Sequence, residues 1–403
     1  MPTDRGAPAA SGTAGSVPAG SPPGPADARH AVDLAYSDPS AADRLARDLE
    51  AVRLETGVAA AVARARGMAA TSLGQLPAAA GHLRRATRLA DHAGDGRVRA
   101  EVALSVGWLH VLRGRLPEAL VEAELAAAGL TGVDAARAAM LRGLVLAESG
   151  RPDDAEPAFG QALALLAEAG GDPLLEADIR TNRSIAAITL GHARLAGADL
   201  TRAEVGYREL GHHGRLAMVR HNQALLADLT GDLPTALRLF DDAEALYRSA
   251  GRPAGLLPIE RAQTLLGALL VPEARAAARR AEAEFTATGN RTDAVQAMLL
   301  AAQAALLADD PAAAREAALR ARLASTRPRR PALAGFLVVQ ADVLAGSVTA
   351  QTRRTAATSA RGLVGDGWRR VAVDLQLTLA RLALAEGRPA AVARSSMAPS
   401  AAR

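Results

Sequence analysis

The spacing of its prolines constrains this chain more than any other feature. Helices accept proline only in their first turn, so prolines that recur after Gly or Asp mark a recurring junction between helices. Pro39, Pro77, Pro117, Pro152, Pro234, Pro272, Pro311 and Pro389 follow one another in steps of 38, 40, 35, 82, 38, 39 and 78. The two long steps are double, and their missing beats fall near Ala193 and Ala350. The 350 residues from Pro39 to Pro389 therefore divide into nine steps of about 39, a period at which helical-hairpin solenoids are built.

The text around each turn repeats as well, in LGQLPAAAGHLRRA, RGRLPEALVEAELA, SGRPDDAEPAFGQA and TGDLPTALRLFDDA. Gly74, Gly114, Gly150, Gly191 and Gly231 stand where a first helix stops, a position that favours a left-handed residue. Glu118, Asp153, Asp154 and Glu273 fall in the first turn of the second helix, where carboxylates suit its dipole. About a quarter of the residues are Ala and only 2% are aromatic, so the core must be made of small side chains that let helix backbones approach closely. Strands would call for more Val, Ile and Tyr.

Composition also removes function classes. All 47 basic residues are Arg, which eliminates lysine Schiff bases, Walker phosphate loops and kinase-type catalysis. The absence of Cys removes disulfides, Cys-ligated zinc and a cysteine nucleophile, and fits a reducing cytoplasm, the expected location. The sequence pI of about 10.3 reflects an Arg-only base set with few Tyr; the net charge is only +4, so no nucleic-acid partner is expected. No apolar run reaches eighteen residues, and the N-terminus has neither the basic nor the apolar region of a secretory signal, so no membrane partner is expected. No Gly-x-Ser-x-Gly elbow or His-Glu-x-x-His pair appears, and Gly365-Asp366-Gly367 lacks a third glycine, so no enzyme activity and no cofactor are expected.

The repeat residues resemble the tetratricopeptide pattern, in which a small residue in the first helix, a turn glycine and two alanines in the second keep fixed offsets. Gly67, Gly107 and Gly143 stand seven before their turn glycines; Ala79, Ala119, Ala155, Ala196 and Ala236 stand five after. Leu83, Phe159 and Phe240 take the large apolar position, and Ala86, Ala126, Ala162, Ala203 and Ala243 the second alanine. The resemblance implies an all-α, TPR-like α-solenoid of antiparallel helical hairpins in a right-handed superhelix, with a concave face lined by first helices. Because the period exceeds the usual 34, helices of roughly sixteen residues, about 24 Å long, or longer links are expected. The expected organisation is a disordered Pro/Gly/Ala/Ser-rich tail over 1–28, about nine hairpins over 29–394 and a short tail over 395–403. The array is weakest near 346–365, where TAQTRRTAATSARG lacks large apolar residues, and the turns at Pro272 and Pro311 replace the glycine.

From about Val58 to Arg394, phrases such as RHNQALLADLTGDLPTALRLFDDAEALY and LLAAQAALLADDPAAAREAALRAR are similar to the N-terminal helical region of actinobacterial CHAT-domain proteins, which carry a caspase-like domain after the helices. With no Cys to serve as that domain's nucleophile and an end at Arg403, the expectation is the helical array without the CHAT domain. The resemblance implies a scaffold that binds a protein or peptide and regulates a caspase-like effector. The alternative is the sensor part of a bacterial transcriptional or signalling system.

Candidate ligand contacts belong on first helices. Asn182 and Asn222 each stand nine before a turn glycine, a register where the tetratricopeptide family places an asparagine that bonds a peptide backbone; an amide supplies both donor and acceptor. Arg180, Arg183, Arg220 and His221 flank them and bias such a groove toward acidic or carboxylate-ended ligands. The same two asparagines would equally serve a polar seam between adjacent helices. His212, His213 and His221 invite a metal reading, but no carboxylate pattern accompanies them and solvated loop histidines explain them, so no metal is expected. The basic run Arg327-Pro328-Arg329-Arg330-Pro331 reads as a solvated loop or as a contact for phosphate or an acidic partner. Trp108 and Trp368 read as core residues, with groove exposure of Trp108 as the alternative.

Overall fold

A computed structural model of the chain describes residues 24–251, 253–325, 330–363, 377–378 and 380–384. Its helices fall in two compact units, Met1–Gly206 and Tyr207–Arg403. The first holds α1 (Pro25–Ser37), α2 (Pro39–Glu50), α3 (Thr56–Ser72), α4 (Leu76–Ala93), α5 (Gly96–Leu112), α6 (Leu116–Gly129), α7 (Gly132–Glu148), α8 (Pro152–Glu168), α9 (Pro173–Leu190) and most of α10 (Ala193–Glu209). The second holds α11 (His213–Leu229), α12 (Leu233–Ser249), α13 (Leu257–Gly267), α14 (Val271–Ala287), α15 (Arg291–Leu307), α16 (Pro311–Ala324), α17 (Arg330–Leu344) and α18 (Ala350–Gly362). No strand occurs among the described residues, and none of their helices is long and apolar enough to cross a membrane.

Among the described residues the turn prolines sit in the first turn of a second helix: Pro77 opens α4, Pro117 α6, Pro152 α8 and Pro234 α12. Successive first helices also touch, α1 on α3, α3 on α5, α5 on α7 and α7 on α9 in unit 1, and α11 on α13, α13 on α15 and α15 on α17 in unit 2. Seventeen-residue helices recur, as in α3, α5, α12 and α15, and with links of only a few residues they account for the long period. This is the tetratricopeptide-like helical-repeat fold.

The small residues do the packing expected of them. Ala79, Ala119, Ala155, Ala196 and Ala236, and the second set from Ala86 to Ala243, are all fully buried. A Cβ on Gly67 would stand 2.5 Å from Leu83 Cγ, and one on Gly143 would stand 2.8 Å from the Phe159 ring, so each glycine seats the large residue of its own hairpin. The turns share one hydrogen-bond pattern. Gln75 N–H reaches the Ala70 carbonyl (2.8 Å) across Gly74, whose φ is +72°, and Asp232 N–H reaches Ala227 (2.9 Å) across Gly231 at +80°.

Where the glycine is missing the backbone keeps the conformation: Leu269 (φ +58°) and Asp309 (φ +54°) are left-handed, and Leu270 N–H still reaches Leu265 (3.0 Å) and Asp310 N–H reaches Ala305 (2.9 Å).

One expectation changes. The tail assigned to 1–28 gives way by Pro25, because Pro25 opens α1 and the Asp27 carboxylate accepts the Gly24 N–H (2.8 Å), which starts the helix there. The stretch near 346–365, poor in large apolar residues, nonetheless forms α18 with hydroxyls in place of a hydrophobic stripe: Thr352, Thr355 and Ser359 are buried, and Thr352 Oγ1 donates to Asp342 Oδ2 (2.7 Å). The Pro389 turn, Gly365–Gly367, Trp368 and residues 395–403 lie outside the described residues.

Candidate functional site

In unit 1, α1, α3, α5 and α7 surround an open cleft of about 580 Å³. Val32 and Tyr36 from α1, Val58 and Ala61 from α3, and Val98 from α5 supply its apolar lining. These residues reach one cleft because consecutive first helices pack side by side.

Two networks fix the charged walls. Arg64 is almost fully buried; its Nε donates to Ser105 Oγ and its Nη1 to Glu101 Oε2, both at 3.0 Å. Arg97, exposed, donates from Nε to the other oxygen of Glu101 (3.3 Å). One carboxylate thus joins a buried and an exposed guanidinium, and the burial of Arg64 is compensated. On the far wall Arg137 Nη1 donates to Asp134 Oδ1 (2.9 Å) and lies 3.7 Å from Asp172 Oδ2. Its guanidinium carbon also stands 4.8 Å from the centroid of the Tyr36 ring. A cation–π contact this open to solvent contributes about 0.5–1 kcal/mol. It ties the first helix of the array to a helix three hairpins on.

Such a cleft can receive apolar side chains on its floor while Asp33, Glu55 and Arg97, all exposed at its edges, meet the polar groups of a ligand backbone. Sequence reasoning missed it. The available signal was Tyr36 itself, one of only three tyrosines, left half-exposed on the first helix.

The residues singled out by sequence lie in both units. On α9, Arg180 donates from Nε to Glu176 (2.8 Å) and from Nη1 to Asp199 of α10 (2.9 Å), while Arg183 grips both oxygens of Asp199 at 2.7 Å. Asp199 is fully buried. Burial alone would lower the Arg180 pKa, but its bonds to Glu176 and Asp199 outweigh that and raise it. Both arginines therefore already serve a buried carboxylate inside their own hairpin. Asn182, between them, is half-buried.

On α11, Arg220 donates to Gln223 (2.6 Å), and Asn222 is 5% exposed. His221 is buried; its Nε2 pairs with Glu260 Oε2 of α13, and its ring lies 5.9 Å from that of Phe240 and 6.4 Å from that of Tyr247. His221 is thus built into the packing of α11 with α12 and α13.

His212 caps α11 and His213 is its first residue. Among the described residues no group of three or more His, Asp and Glu is arranged to hold a metal. Of the basic run, Arg330 donates to the Thr292 carbonyl and to Gln296 Oε1 (3.3 Å), whereas Arg327, Pro328 and Arg329 lie outside the described residues. Trp108 is half-buried and packs against two core clusters, among them Ala136, Met140 and Leu104.

No protein-family model and no curated protein matches the sequence. Solved structures match its fold over most of its length. The Rap protein complexed with competence and sporulation factor is 13% identical, with a TM-score of 0.61 over 92% of this chain and 95% of that one. The apo form of the quorum sensor NprR from B. thuringiensis is 11% identical, with a TM-score of 0.60 over 92% of this chain and 96% of that one. Yeast Tom70 is 13% identical, with a TM-score of 0.50 over 91% of this chain and 69% of that one. At these identities the likeness is one of fold.

Proposed function

We propose that the chain is a protein- or peptide-binding scaffold that takes a segment of its partner into the unit 1 cleft. One observation carries this reading: four helices, separated by up to a hundred residues in sequence, turn an apolar floor and both signs of charge into one open cleft. Asn182 of α9, which packs beside α7, extends the ligand contact in this proposal, its half-buried amide offering donor and acceptor to a peptide backbone. Arg180 and Arg183 hold the α9/α10 hairpin that carries Asn182, and within unit 2 His221 fixes α11, with Arg220 and Asn222 beside it, against α12 and α13. The work is done in the cytoplasm without a cofactor, a membrane or nucleic acid, and binding rather than catalysis is the activity.

The finer proposal for the partner is a caspase-like CHAT effector, regulated through occupation of this cleft. A second reading is favoured by the whole-length fold match to a Rap protein solved with competence and sporulation factor and to a quorum sensor. In it the chain is a bacterial signalling sensor and its ligand is a short free peptide.

Peptides selected from a random displayed library against the full chain test the cleft. Their affinity should fall about tenfold or more in Tyr36→Ala combined with Arg97→Glu, since an aromatic wall and a charge-assisted bond are lost together. Equal affinity for wild type and double variant, with unchanged helical content, refutes the assignment. Testing the selected sequences as free peptides and as exposed segments of a folded carrier separates the two readings.

A further inference from the structure

Balance of charge singles out the end of unit 2. Between Pro311 and Leu363 the sequence has nine Arg and only two acidic residues, Glu316 and Asp342. Both carboxylates are committed. Asp342, buried, accepts from Arg315 Nε (3.0 Å) and from the Thr352 hydroxyl (2.7 Å), and Glu316 lies 3.8 Å from Arg320. In unit 1, by contrast, Arg64, Arg66, Arg99 and Arg137 each meet a carboxylate.

Two arginines of this segment line a cleft of about 410 Å³ formed by α16, α17 and α18. Arg322 enters from the last turn of α16 and Arg354 from α18, and both are exposed. Arg354 directs Nε (3.1 Å) and Nη2 (2.7 Å) at a single neutral oxygen, Oε1 of Gln351, which also lines the cleft. That is the fork with which a guanidinium grips the two oxygens of a carboxylate or phosphate, here closed on a weaker, uncharged acceptor that an anion can displace. Pro331, Ala332 and Gly335 make the opposite wall apolar.

We infer that this cleft is a second binding site, for a small organic anion whose oxyanion head sits between Arg322 and Arg354 and whose apolar body lies against α17. The volume is that of small-molecule sites, and the excess positive charge draws the head in. The site is independent of the unit 1 cleft and does not rest on the function proposed for it. A carboxylate and a phosphate monoester share the chemistry it recognises.

Anilinonaphthalene sulfonate, an anion with an apolar body, is the probe, titrated against the full chain by fluorescence. Arg322→Gln combined with Arg354→Gln should weaken dye binding by about tenfold or more with unchanged helical content, the loss of two charge-assisted contacts. Arg97→Gln in unit 1 should leave it unchanged. Phenyl phosphate or benzoate should displace the dye from wild type, and the one acting at the lower concentration identifies the head group as phosphate or carboxylate. The inference is overturned if the double variant binds dye as tightly as wild type, if Arg97→Gln abolishes binding, or if neither anion displaces it.

Discussion

Leu269 and Asp309 stand where the hairpins at Gly74, Gly114, Gly150, Gly191 and Gly231 have a turn glycine, and both hold positive φ. A left-handed conformation costs an L-residue roughly 1–2 kcal/mol, through the approach of Cβ to the following carbonyl oxygen. Glycine avoids that cost but gives up about 0.5–1 kcal/mol more backbone entropy on folding. Leu269→Gly should therefore stabilise the α13/α14 turn by about 0.5–1 kcal/mol net. Little burial is lost with the side chain, because Leu269 is 69% exposed. Asp309→Gly should gain less, since a short polar side chain tolerates this region better. The cross-turn bonds from Leu270 and Asp310 need no change.

A repeat array does not unfold in a single step, so native-state hydrogen exchange is the assay, read on α13 and α14 for the first variant and on α15 and α16 for the second. The gain corresponds to amide exchange about two- to fivefold slower for Leu269→Gly. Gly74→Leu or Gly231→Leu provides the converse and should speed exchange in its own hairpin. Faster exchange in Leu269→Gly would mean that the side chain is favoured at this turn, and the account of the missing glycines would fail.

Gly143→Ala should destabilise by about 1–3 kcal/mol, because its Cβ would press on the buried Phe159 ring, whereas Gly81→Ala, with nothing within 4 Å of the new methyl, should gain about 0.5–1 kcal/mol; paired thermal melts compare them. Asp199→Ala should cost about 3 kcal/mol, the lower end for breaking a buried pair, since Arg180 and Arg183 retain 20% and 16% of their exposure. Exchange on α9 and α10 measures that loss. Burial alone would raise the Asp43 carboxyl pKa, but hydrogen bonds from Arg47 and Arg66 outweigh it and hold the pKa below the ordinary 3.8. Its stabilisation is therefore present above 3.8 and lost as pH falls through the lower folded value, and Asp43→Asn should flatten the acid limb of the urea midpoint plotted against pH.

The hairpins were legible because proline, glycine and alanine act on the backbone itself. Pro77, Gly74 and Ala79 each admit few placements, and together they fix one turn. Where that shorthand lapses, tertiary context takes over. Leu269 is left-handed because the helices on either side demand it, and α18 forms because Asp342 accepts from the Thr352 hydroxyl and Gly335, lacking a Cβ, leaves room for Ser359. The start of α1 at Pro25 was hidden by the Ala- and Pro-rich composition it shares with the residues before it.

The site was less legible, for a geometric reason. The register that marked Asn182 and Asn222 is local, whereas the partners of their neighbours are not: Arg183 is defined by Asp199 on the next helix, and His221 by Glu260 two helices on. The unit 1 cleft depends on Tyr36 meeting Arg137, which requires the angles of three hairpins in sequence. No short motif records those angles.

Local ion pairing also determines how each cleft should respond to salt. In unit 1 three of the four arginines that line the cleft already face carboxylates, Arg64 and Arg97 on Glu101 and Arg137 on Asp134, and Asp33 and Glu55 line it as well, so a ligand enters a nearly balanced field and its affinity rests mainly on apolar contact. In unit 2 the carboxylates near Arg322 and Arg354 are engaged by other arginines, so an anion there is held by charge, and charge between exposed groups is screened as the Debye length falls from about 10 Å at 0.1 M salt to about 3 Å at 1 M. Raising salt across that range should weaken anion binding in the α16–α18 cleft severalfold while leaving selected peptides in the unit 1 cleft nearly unaffected. Titrations of both ligands on one preparation make the comparison. Equal salt dependence at the two clefts would show that local pairing does not set their fields, and the contrast drawn between the units would be wrong.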